Sequence, residues 1–175
     1  MKKVILAVFV LAVMGFNSAF AQKATRLGYI DSQTILAQLP EAIKAQGEVQ
    51  AAIDKIKAQI DSLGQEYQQA LANYQKQANM MTDAKKREAQ QKIMNMEKDY
   101  NDLQGKLNAN GDVAQLNRKL MTPIIDKIKK TVEEIAKKEN IDIVLEKNEQ
   151  LQTIWYAEPS MDLTYKVLDK LKTSN

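Results

Sequence analysis

The chain has 175 residues, 27% of them charged, a formal net charge of +3, no cysteine and no histidine. The usual general base and the commonest metal ligand are therefore missing, and disulfides are excluded as a source of stability. So small a net charge gives no reason to expect a nucleic-acid partner.

Lys2 and Lys3 precede an unbroken apolar run from Val4 to Met14, and Ala19-Phe20-Ala21 supplies an A-x-A cleavage site. In this order the three parts predict a secretory signal peptide over residues 1–21, too short to span a membrane. Its removal lowers the formal charge from +3 to +1 and takes away Phe9, Phe16 and Phe20, all the phenylalanines present. A compact core of this size ordinarily uses several large rings, so an elongated shape is expected.

Arg26-Leu27-Gly28-Tyr29-Ile30 reads as a strand with Leu27 and Tyr29 on one face. Asp31 or Ser32 can cap a brief helix through Leu36. Residues 22–39 thus supply the first part of a β-rich body. Pro40 suits the first position of a long helix, and Glu41 suits its dipole. From there Val49, Ile53, Ile56, Ile60, Leu63, Tyr67, Ala70 and Tyr74 alternate at spacings of four and three. That is a heptad seam, narrow enough to face one partner helix.

Ala89, Ile93, Met96, Tyr100, Leu103 and Leu107 repeat the alternation. Asn110 and Asn117 are polar seam positions, with Ala114 between them and Met121 after. A break at residues 79–83, with Thr82 or Asp83 as the next cap, folds the two runs against each other. The expected product is an antiparallel helical hairpin, a coiled-coil arm over residues 40–122 about 60 Å long. Tyr67 would stand opposite Tyr100, Leu63 opposite Leu103 and Ile60 opposite Leu107. Gly47, Gly64, Gly105 and Gly111 fall inside these helices at about 1 kcal/mol each against alanine. Gly64 and Gly105 lie at nearly the same height and mark a candidate hinge; close helix approach is the competing explanation.

The tip carries Met80 and Met81 beside Lys85, Lys86 and Arg87, with a local charge of +3 from Lys76 to Lys92. Methionine is flexible and polarizable, so this pattern suits promiscuous contact with unfolded chains or an anionic membrane surface. Alternatively, Met81 ends the seam and the lysines keep the tip soluble. A second basic group comprises Arg118, Lys119, Lys127, Lys129, Lys130, Lys137 and Lys138, offset by Asp126, Glu133 and Glu134. A solvated helix face is the simpler account of it.

Pro123 either bends the second helix or, with Thr122 as cap, starts a new one. Ile124, Ile125, Ile128, Val132 and Ile135 then widen the apolar face, which places the junction of arm and body here. Residues 141–147 and 153–157 both alternate with period two and predict a β-hairpin. Pro159 and Ser160 open a last helix bearing Leu163, Val167, Leu168 and Leu171. Residues 123–175 complete the body. Three short strands in one chain leave uncovered edges, so a homo-oligomer is expected. The fold class is α+β, mostly α. No Gly-rich phosphate loop, GxSxG or zinc-ligand spacing occurs, so neither an enzyme nor a cofactor is expected.

The ordered segments "RLGYIDSQTIL", "LMTPIIDKIKKTVEEIAKKENIDIVLEK" and "IWYAEPSMDLTYKVLDKLK", flanking and following the helical pair, resemble the Skp/OmpH family of periplasmic chaperones. The resemblance implies a homotrimer with a small β-rich body. It implies three helical arms enclosing unfolded outer-membrane proteins in the periplasm, without ATP. Better-known members are strongly basic, whereas this chain is almost neutral. A structural coiled-coil spacer or envelope tether is the alternative.

Overall fold

The computed structural model describes residues 24–148 and 150–173. The expected signal peptide lies outside the described residues. In chain order the elements are β1 (Leu27–Ile30), α1 (Ser32–Gln38), α2 (Pro40–Gln77), a 3-10 turn (Ala78–Met80), α3 (Asp83–Lys106), α4 (Asp112–Glu139), β2 (Ile143–Glu146), a second 3-10 turn (Pro159–Met161) and α5 (Thr164–Thr173). The architecture is mostly helical, with a two-stranded sheet.

Local chemistry sets the starts of these helices. The Asp31 side chain caps α1, its Oδ1 accepting from Thr34 N at 2.9 Å. Leu39 breaks the helical path with extended backbone, and Pro40 at the first position opens the 38-residue α2. At the standard rise α2 is about 57 Å long. Its seam residues are all half-buried, whereas the positions between them are mostly exposed. That is the burial expected of a helix that meets one neighbour along a narrow stripe. The neighbour is α3, whose Ile93 and Met96 are buried on the contact side.

Tyr67 and Tyr100 line one groove between these helices, and Leu63 and Leu103 line another. Gly64 belongs to the same contact: a Cβ there would lie 3.6 Å from Tyr100 Cε2. Nearer the tip, Gln90 Nε2 donates to the Tyr74 hydroxyl at 2.7 Å. Nearer the body, Lys127 Nζ lies 3.1 Å from Glu41 Oε1. The second run is not one helix, as its seam suggested, but breaks over residues 107–111. Asn110 is therefore a turn residue, not a seam position. Two asparagines and Gly111 lower helix propensity there. The turn is tied by Gly111 N donating to Asn108 O at 2.8 Å and by Arg118 Nη1 donating to Ala109 O at 3.4 Å.

Pro123 neither ends nor starts a helix; α4 runs through it. Its missing N–H leaves the Lys119 carbonyl without a helical donor. Pro123 is exposed, so water can serve that carbonyl. Ile124, Ile128, Thr131 and Ile135 make the buried stripe of α4. Thr131 belongs to it because its hydroxyl donates back to Lys127 O at 2.9 Å. Asn140 closes the helix in the left-handed conformation, φ 54° and ψ 41°.

The core of the body gathers Ile35, Leu39 and Ala42 with the α4 stripe and with Leu163, Val167, Leu168 and Leu171. Asp31 N donates to Thr164 Oγ1 at 2.9 Å, so the buried Thr164 hydroxyl has a partner. Gly28 is needed for close approach, since a Cβ there would come 2.8 Å from Leu163 Cδ1.

The sheet corrects two expectations. β1 pairs with β2 in parallel, with Leu27 opposite Ile143 and Tyr29 opposite Leu145. Segment 153–157 forms no strand, so the expected hairpin is absent and the described sheet has two strands, not three. The return turn does form: Asn148 N donates to Thr153 Oγ1 at 2.9 Å. The ladder then stops because Thr153 Oγ1 takes the Glu146 carbonyl at 2.8 Å and the chain leaves β2. Leu27 and Tyr29 do share a face, but Gly28 and Ile30 face the core.

Two carboxylates fasten the helices of the body at the surface. Glu134 Oε2 lies 2.5 Å from Lys170 Nζ and Glu139 Oε1 lies 2.6 Å from Lys166 Nζ, both joining α4 to α5. The hydrogen bond from Lys170, then its charge, holds the Glu134 carboxyl below its ordinary value. A depressed folded-state pKa contributes stability above the ordinary carboxylate range, and that contribution is lost as pH falls through the depressed value. Glu134→Gln should therefore flatten the loss of melting temperature between about pH 5 and pH 3. Equal slopes for the variant and the parent would remove Glu134 from the acid response.

Candidate functional site

The tip is built by ordinary helix-end chemistry. α2 runs into the 3-10 turn, Met81 is extended at φ −82° and ψ 145°, and Thr82 caps α3 through its hydroxyl, 3.4 Å from Lys85 N. Met80 sits on the outside of this turn and is 82% exposed. Met81 is half-buried, in keeping with its position at the end of the seam. Lys85 and Arg87 are exposed and Lys86 is half-buried. The geometry thus brings a flexible apolar side chain and three cations together at the end of the helical pair. It supplies contact and charge.

Gly64 and Gly105 are placed differently. Gly64 packs on Tyr100 inside the α2–α3 contact. Gly105 is in the last turn of α3, and a Cβ added there would meet no atom within 4 Å. An open groove of about 880 Å³ lies beside Gly64, with Ile60, Tyr67 and Tyr100 among its walls.

Part of the second basic group has structural work. Lys127 is tied to Glu41, and Lys137 lies 2.5 Å from Glu133 one turn away. The Lys137 hydrogen bond lowers the Glu133 pKa, and the Glu133 hydrogen bond raises that of Lys137. Lys119, Lys129, Lys130 and Lys138 are exposed on the faces of α4.

Sequence reasoning missed an apolar surface on the body. Leu27, Ile143 and Leu145, on the outer face of the sheet, are 41%, 47% and 45% exposed. Leu151, Trp155 and Tyr156 are 75%, 85% and 79% exposed on the loop after β2. The missed signal was the density of large apolar side chains in a segment assigned to a half-buried hairpin. Such density needs a second surface when no sheet forms. Among the described residues no helix is long and apolar enough to cross a membrane, and no cluster of acidic side chains could hold a metal ion.

A family model described as outer membrane protein (OmpH-like) matches residues 26–171. No curated protein matches the chain. Among solved structures, a protein of Caulobacter crescentus CB15 described as an outer membrane chaperone (OmpH-like) aligns with a TM-score of 0.67 over 86% of each chain. Its sequence identity is 10%, so the likeness is one of fold. The matched span takes in the sheet, the helical pair and most of the terminal helix, and the chain belongs to the OmpH-like outer membrane protein family.

Proposed function

We propose that the protein is an ATP-independent holdase of the periplasm. It takes up unfolded outer-membrane proteins and keeps them from aggregating. The observation that carries this reading is the helical pair itself. A 38-residue helix and its partner cover only one stripe of each other and end at an exposed methionine beside a basic cluster. Membership of the OmpH-like family supports the same reading. A holdase works through weak, adaptable contacts, which flexible methionine provides better than a rigid pocket.

The assembly in this reading is a homotrimer whose three hairpin arms surround the client. The uncovered apolar face of the sheet supports self-association, because a lone copy would leave Leu27, Ile143 and Leu145 in water. Met80, Met81, Lys85, Lys86 and Arg87 form the contact surface at each tip. The same cations suit anionic headgroups when the loaded assembly meets a membrane. Gly64 and Gly105 let the arm flex. No catalytic step is involved.

The test is light scattering of a urea-unfolded β-barrel protein diluted into buffer without nucleotide. Stoichiometric assembly should suppress its aggregation. Reversing Lys85, Lys86 and Arg87 to glutamate should weaken capture by about tenfold at low salt and less at high salt, as exposed charges are screened. A client that aggregates as fast as in buffer alone leaves the tether reading in place of the holdase. Unaltered affinity of the charge-reversed variant at low salt dismisses the tip cluster.

A further inference from the structure

Trp155 is the sole tryptophan of the chain and is 85% exposed. It does not sit on a frayed end. The root of its loop is fixed, with Thr153 Oγ1 donating to Glu146 O at 2.8 Å and accepting from Asn148 N at 2.9 Å. Just beyond it, the Tyr156 hydroxyl donates to Glu158 Oε1 at 2.6 Å. Ile154 is half-buried, whereas Trp155 and Tyr156 after it are both exposed. The loop therefore presents the indole outward.

The same body contains a cleft of about 300 Å³ between β2 and α4. Ile30, Val132, Ala136 and Val144 line it, and Lys129 and Glu133 stand on its rim. Leu145 and Glu146 of β2 complete its wall. An aromatic side chain fits such an apolar slot, and an indole N–H needs an acceptor when it is buried. The Glu133 carboxylate offers one. The rim cation Lys129 is complemented by Glu158, three residues from the indole.

We propose that Trp155 of one copy seats in the β2–α4 cleft of a second copy. The inference rests on the homo-oligomer reading above and specifies the contact. Knob and cleft are different surfaces of one chain, so the contact is heterologous: each copy gives its indole to one neighbour and receives one from another. Such contacts close as a ring when the rotation allows.

The single tryptophan makes the test direct. Wild-type protein and an Ala136→Phe variant, which fills the cleft, are compared by native mass spectrometry, tryptophan emission and acrylamide quenching. The wild-type oligomer should emit at shorter wavelength and be about fivefold less quenchable than its dissociated chains, as for a ring closed off in an interface core. Ala136→Phe should restore quenching and weaken association by about tenfold or more, as for loss of an aromatic anchor. An oligomer whose Trp155 is as quenchable as free tryptophan overturns the contact and leaves the oligomer standing. A shielded Trp155 in dissociated chains also overturns it, in favour of a seat within the chain. A wild-type protein that stays monomeric at every concentration removes the oligomer reading and this contact with it. Should Ala136→Phe lose its helical circular dichroism, Trp155→Ala supplies the association measurement.

Discussion

Leu168→Ala should lower the stability of the body by about 3 kcal/mol, in the range for truncation of a fully buried leucine. Leu168 is 2% exposed, and its neighbours on α5, Val167 and Leu171, are 0% exposed. The helix lies against both α1 and α4, so a cavity at Leu168 has packed walls and little room to collapse. The buried hydrophobic side chains around it are few and none is aromatic. One lost leucine is therefore a large share of a total on the order of 5–15 kcal/mol. Leu63→Ala offers the contrast. Leu63 is half-buried in the narrow α2–α3 seam, and its truncation should cost about 1 kcal/mol, since part of its surface stays in water either way. Urea unfolding followed by circular dichroism measures both, at one fixed chain concentration because association adds to apparent stability. Equal midpoints for Leu168→Ala and the parent would mean that α5 is not docked as described.

The helical elements were legible because their signals are local and periodic. Spacings of four and three fall on α2 and α3, and Thr82 and Pro40 marked helix starts that the structure contains. The apolar stripe of α5 was readable for the same reason. Strand pairing was not. Residues 153–157 alternate as well as residues 143–146 do, but alternation states only that two faces differ, not what lies opposite. The strand that pairs with β2 is β1, more than a hundred residues earlier, and no local pattern encodes that choice. The 107–111 break was hidden by an opposite error. Leu107, Ala114 and Met121 keep the heptad spacing across the turn, so the seam looked continuous although Asn108, Asn110 and Gly111 argued against a helix.

The candidate site was legible in composition and not in exposure. The sequence placed Met80 and the basic cluster at a tip, and the structure puts Met80 on its outside. The sequence could not separate Met80 from Met81, because one seam position at a helix end is covered or open according to the path of the turn. Trp155 escaped for a related reason. Its partner in a hairpin would have been β2, and without that ladder the same residues become an exposed surface.

Gly111→Ala should be the most damaging small change in the arm. A Cβ at Gly111 would lie 2.6 Å from the Lys106 carbonyl carbon and closer still to the carbonyl oxygens of Gly105 and Lys106. These are backbone atoms at the end of α3, so no rotamer change relieves the clash. The turn must open, at about 2–3 kcal/mol by analogy with overpacked cores. Opening it also releases the Gly111-to-Asn108 hydrogen bond. Gly47→Ala and Gly105→Ala should act in the other direction. Neither site has an atom within 4 Å of the added carbon, and alanine improves helix propensity by up to about 1 kcal/mol. Hydrogen exchange along α2 and α3 reads all three variants. Gly111→Ala should lower protection from residue 100 to the start of α4, and Gly105→Ala should raise it. If Gly105 serves a flexible arm, its alanine variant will also capture an unfolded client more slowly, so greater stability with unchanged capture would reduce Gly105 to a tolerated residue.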